Sequence, residues 1–111
     1  MTHIYKIFRP AEWEALQADG VTRGAPVDRA DGYIHFSTRE TLQGTLDTWF
    51  AGAGPLVIAE FEADAFGGAL RWEASRGGLL FPHLYGELQA VHTKRHWRVE
   101  PDGQGRYALP S

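Results

Sequence analysis

Residues 67–100, GGALRWEASRGGLLFPHLYGELQAVHTKRHWRVE, decide the fold class. Short apolar or aromatic runs at Leu70–Glu73, Leu79–Phe81, Leu84–Tyr85, Leu88–His92 and His96–Glu100 are separated there by Gly, Pro or charged turns. Brief strands joined so tightly pair antiparallel. Upstream the periods differ. His3–Phe8 alternates with high aromatic and β-branched content, which predicts a strand ended by Pro10. Proline suits a first helical position, and Trp13 and Leu16 follow at helical spacing before Gly20 closes the segment. Val21–Asp31, with Gly24, Pro26, Asp28 and Asp31, reads as an ordered loop. Tyr33–Phe36 is a short apolar strand, and Ser37 with Glu40 has capping-box spacing. Leu42, Leu46, Trp49 and Phe50 then make one apolar helical stripe ending at Gly52 or Gly54. Leu56–Phe61 predicts a central strand buried on both faces. The class is α+β, with two helices in the N-terminal half covering a mixed or antiparallel sheet.

The chain has 111 residues, a formal net charge of -3 and no cysteine. That length suits one domain, with residues 2–109 as its ordered part, and excludes separate cofactor and substrate lobes. Without cysteine there is no disulfide, thiol nucleophile, Cys-based zinc site or iron–sulfur cluster, so packing holds the fold. Lys6 and Arg9 interrupt the first apolar stretch, and no run approaches the ~18 residues of a membrane span. The expectation is a cytoplasmic protein with no membrane contact. The mildly acidic balance offers no general attraction for nucleic acid.

Two stretches carry chemistry. In Asp31–Thr38, DGYIHFST, His35 lies at a strand end two residues before Ser37 and three before Thr38, where the next helix begins. Unpaired amides at a helix start favour an anion, so hydroxyls and imidazole there suit a phosphate or ribose-phosphate group. The structural alternative is an N-cap serine and an inward histidine bonded to a carbonyl. In residues 70–86, LRWEASRGGLLFPHLYG, Arg71 and Glu73 share a strand face with Ser75 following and Trp72 opposite. Gly77–Gly78 lets backbone approach a ligand, Arg76 suits a bidentate contact to phosphate or carboxylate, and His83 and Tyr85 follow Pro82. The alternative is a hairpin with a surface ion pair, Pro82 marking an edge strand. His92 and His96 stand four apart, but HTKRHWR reads as a turn between strands with no acid to complete a metal site. His35-Phe36-Ser37 also invites comparison with two-histidine phosphoesterases; His83 is followed at +2 by Tyr85 and His3 by Tyr5, so the second hydroxyl is displaced onto a phenol.

Ile4–Ile7, Asp31–Ser37, Leu70–Gly78 and Phe81–Gly86 together resemble the bacterial family called domain of unknown function 952. The resemblance implies a small split-sheet α+β architecture similar to the ADP-ribosyltransferase fold, whose cleft holds NAD in other members of that class. By that analogy, His35 and Ser37–Thr38 would hold the ribose and shape the nicotinamide pocket. Glu73 would bond the ribose 2′-hydroxyl, with Tyr85 stacking on a ring. Such a glutamate stabilises a developing oxocarbenium electrostatically. The chain departs from that pattern in setting His35 directly beside the Ser-Thr pair, and it has no late Glu-x-Glu or Gln-x-Glu before a strand. The expectation is a single cleft where both stretches meet, with Glu73, His35 and His83 catalytic and Ser37, Thr38, Arg71, Arg76 and Tyr85 binding an anionic small molecule. No cofactor is certain; NAD enters as a substrate, and no protein partner is implied. The alternatives are a non-catalytic module that binds an anion or partner, and a phosphodiesterase using His35 and His83.

Overall fold

The computed structural model describes residues 2–74 and 76–109. Its organising element is β4 (Leu56–Glu62), the middle strand of a sheet whose order is β1 (His3–Phe8), β4, β8 (Thr93–Val99). Both pairings are antiparallel, with Tyr5 opposite Glu60 and Ile58 opposite Trp97. Because side chains alternate across a strand, β4 feeds two cores. Val57, Ala59 and Phe61 pack with Ile4, Phe8, Leu16, Ile34, Phe36 and Leu84 on one face. Leu56 and Ile58 pack with Tyr5, Ile7, Leu42, Leu46 and Tyr107 on the other. The expected two-sided burial of this strand is what the structure has.

Helix α1 (Pro10–Asp19) starts on proline and ends at Gly20, whose φ of 77° permits its N–H to reach Leu16 O at 2.8 Å. Helix α3 (Arg39–Trp49) buries Leu42 and Leu46. Its N-cap is Thr38, not Ser37: Thr41 N donates to Thr38 Oγ1 at 3.2 Å while Thr38 N donates to Thr41 Oγ1 at 2.9 Å. A second threonine thus does the work expected of Glu40. Trp49 is 66% exposed, so the stripe is narrower than its spacing predicts.

Three expectations fail locally. The loop predicted over Val21–Asp31 contains β2 (Val21–Thr22) and a six-residue helix, α2 (Pro26–Asp31), capped by its own acid, since Ala25 N donates to Asp28 at 2.8 Å. The runs at Leu79–Phe81 and Leu84–Tyr85 are one strand, β6 (Leu80–Leu84), continuous through Pro82. It lies between β3 (Ile34–His35) and β5 (Leu70–Ala74), so Pro82 does not mark an edge. Phe36 N donates to Pro82 O at 3.0 Å, and the reciprocal bond that proline cannot make falls where β3 ends. Finally, HTKRHWR is mostly strand, as β8, its charged side chains exposed at a sheet edge in the manner that discourages further pairing.

A third, two-stranded sheet pairs β2 with β7 (Leu88–Gln89). All named pairings are antiparallel, so the sheets are several and none is mixed. The sheets of β1 and β3 meet where Tyr5 N donates to Ser37 O and Ser37 N to Tyr5 O, each at 2.8 Å. Among the described residues no helix is long and apolar enough to cross a membrane.

Phe61, fully buried against Phe36 and Phe66, gives the packing test. Phe61→Ala is expected to lower unfolding free energy by about 3–5 kcal/mol in urea titration, whereas exposed Trp49→Ala changes it by under about 0.5 kcal/mol.

Candidate functional site

Strand β3 places His35 directly opposite His83 of β6, and β6 in turn sets His83 opposite Arg71 of β5. The two imidazole centroids lie 5.4 Å apart, so the two stretches singled out by sequence meet. Tyr33 joins them, stacked on His83 at 4.2 Å and tilted against His35 at 4.7 Å and Tyr85 at 5.2 Å. Four rings thus share one patch, with the Arg71 guanidinium 4.8 Å over the Tyr85 ring.

Each histidine has its own carboxylate. His83, 5% exposed, directs Nδ1 to Glu73 Oε1 at 2.7 Å. Tyr85 OH donates to the same carboxylate at 2.9 and 3.1 Å. Those bonds from His83 and Tyr85 hold the Glu73 carboxyl below the usual range although its side chain remains 38% exposed. The shared carboxylate raises the Tyr85 hydroxyl in turn, and Tyr33 is raised by burial and by the charges of Asp31 and Glu73.

His35 sits between two acids. Nδ1 lies 2.6 Å from Asp28 Oδ1, and Nε2 lies 3.0 Å from Asp31 Oδ2. Asp28 is 1% exposed and also accepts from His35 N at 3.0 Å, Ala25 N at 2.8 Å and the buried Lys6 Nζ at 2.7 Å. Burial alone would raise this carboxyl; the His35 hydrogen bond and the charge and hydrogen bond of Lys6 outweigh it and hold it at about 2. Asp28, Asp31, Lys6 and Tyr33 are the residues that sequence reasoning did not place in the site. Asp28 and Lys6 are charged groups a buried core would not tolerate unpaired, a signal visible only once the strands are assembled.

The hydroxyls expected beside His35 have other partners. Ser37 is buried and donates to Thr45 Oγ1 at 3.1 Å, and Thr38 caps α3. The side chain of Arg76, expected to bind the anion, and Ser75, read on the strand face of Arg71 and Glu73, lie outside the described residues. His92 sets its ring edge on Phe66 at 5.5 Å, and His96 lies over Trp13 at 4.8 Å. Among the described residues no three His, Cys, Asp or Glu side chains gather as a metal would need.

A family model described as "Protein of unknown function (DUF952)" matches residues 7–95. The chain belongs to this family. Two crystal structures of protein CC0527 from Caulobacter crescentus, one of them a double mutant, are similar at 45% and 44% identity, each with a TM-score of 0.94 over 97% of this chain and 95% of that one. The solution NMR structure of CC0527 is similar at 46% identity and a TM-score of 0.85, over 96% and 91% of the two chains. None of these names states an activity, ligand or partner. No curated protein matches.

The ionised Asp28 gives a pH test. With a native value of about 2 against an ordinary 3.8, its contribution is fully present above about pH 4 and is lost as pH falls through about 2. That contribution is on the order of 2 kcal/mol. Urea midpoints of the native protein between pH 5 and 1.5 are expected to fall across this window, and Asp28→Asn to flatten that part of the slope.

Proposed function

We propose that this cluster is a ligand site for a nucleotide of the ADP-ribose class, with NAD as substrate, carried on an architecture similar to the ADP-ribosyltransferase fold. The observation that carries the reading is the Glu73 carboxylate, fixed by His83 and Tyr85 at an exposed rim of aromatic rings. Cleaving the bond between ribose and nicotinamide sends its electron pair to the leaving base and builds positive charge on the ribosyl carbon. A carboxylate already ionised and held in place stabilises that charge without reorganising. Water or another acceptor then adds to the carbon and releases a proton.

Tyr33 and Tyr85 offer ring faces to a base, and Arg71 supplies a cation for a phosphate. His83 is buried with Nδ1 engaged by Glu73, so it acts on the ligand through the carboxylate it holds. A second reading, phosphodiester hydrolysis, is favoured by one observation, the 5.4 Å separation of His35 and His83. It requires both imidazoles to exchange protons with the phosphate ester, and replacing either would abolish turnover.

Thermal unfolding with NAD, ADP-ribose and inorganic phosphate tests the site. A ligand at a hundred times its Kd adds about 2.7 kcal/mol of stability. The expected result is stabilisation by NAD and ADP-ribose, with nicotinamide release that drops about a hundredfold or more in Glu73→Gln while binding persists. Binding without turnover identifies a non-catalytic module. No stabilisation by either nucleotide overturns the proposal.

A further inference from the structure

Lys6, Asp28 and His35 form a chain of contacts running from the buried face of β1 to the ring cluster, and the proposed chemistry at Glu73 leaves it unused. The Asp28 side chain is sealed from solvent, so it cannot touch a ligand. Its two oxygens are divided: Oδ2 takes the donors of Lys6 Nζ and Ala25 N, while Oδ1 faces the main-chain N and ring Nδ1 of His35. Room for this carboxylate depends on the backbone beside it. A Cβ at Gly24 would stand 2.4 Å from Asp28 Oδ2 and 2.5 Å from Asp28 Cβ, and Gly24 has a φ of +100°, where a side chain is strained as well.

We infer that Asp28 is the positioning residue of the site. By accepting a hydrogen bond from Nδ1–H, it fixes the ring plane of His35 and, in the neutral imidazole, the tautomer that leaves Nε2 as the nitrogen presented outward. A neutral imidazole has one N–H, and which nitrogen carries it is set by the partner of the other. Nε2 lies 3.0 Å from Asp31, a half-exposed side chain at the end of α2 that a ligand hydroxyl can displace. The inference rests on reading the cluster as the ligand site, but it concerns a proton position that is measurable without any ligand.

The test is nitrogen-15 NMR of the histidine rings in the full chain, combined with ADP-ribose titration. Native protein is expected to show a proton on Nδ1 of His35. In Asp28→Asn the amide oxygen stays with the two donors at Lys6 and Ala25, so the amide NH₂ faces the His35 ring and the main-chain N–H of His35 loses its acceptor. Nδ1 must then be bare, the proton moves to Nε2, and affinity for ADP-ribose falls tenfold or more. Lys6→Met removes the ion pair and keeps the Asp28–His35 contact; it is expected to unfold at lower temperature with the His35 tautomer unchanged.

A bare Nδ1 in the native spectrum overturns the inference without any variant, so a poorly folding Asp28→Asn does not shield it. An unchanged tautomer in a folded Asp28→Asn overturns it too, as does unchanged ADP-ribose affinity with a switched tautomer. If native protein ignores ADP-ribose while the tautomer still switches, the nucleotide reading fails and the positioning of His35 by Asp28 stands.

Discussion

A single sealed carboxylate sets the terms for half of this fold. Asp28 bonds Lys6 on β1, the amide that opens α2, and both the backbone and ring of His35 on β3. Three elements separated in sequence are held to one group. Removing either member of the Lys6–Asp28 pair would strand a charge where water cannot reach it, a far larger penalty than losing a surface pair. The same arrangement makes a six-residue helix of polar composition hold its shape. Alone, a helix that short would not form.

The parts of the fold legible in sequence are those whose causes are local. His3–Phe8 and Leu56–Phe61 declare themselves through apolar content, and α1 through proline at its start and glycine at its end. Where the cause is tertiary, local pattern misleads. Helix α2 looks like loop because its stabiliser is a contact with Lys6 and His35. Strand β6 looks broken because Pro82 reads as a terminator, yet the missing N–H falls where β3 has ended. The start of strand β8, before His96, looks like a turn because an exposed edge carries charge in place of alternation.

The site divides the same way. His35, His83, Glu73 and Tyr85 stand out as reactive types in dense stretches, and strand pairing brings them together. Asp28 could not be found that way, since its meaning lies in Lys6 and in the space at Gly24. Ser37 and Thr38 show the reverse. Their types suit a ligand, but a strand end and a helix start required them first. Two histidines, each with a carboxylate on Nδ1, result from different logics: Glu73 is exposed and shared with a tyrosine, while Asp28 is sealed and shared with a lysine.

The reciprocal hydrogen bonds between Tyr5 and Ser37 join the sheet of β4 to the segment leaving β3, and so to the strands that bear the rings. The backbone junction is narrow, but Ile34, Phe36 and Leu84 pack into the same core as β4, so the two sheets also share their hydrophobic burial. The strand delivering His35 is two residues long, whereas β4 is seven residues with a partner on each side. The two-residue β3, with little ladder of its own, is therefore expected to open at lower free energy than β4. On that ground its amides should exchange with solvent through partial openings, while those of β4 wait for the whole molecule to unfold.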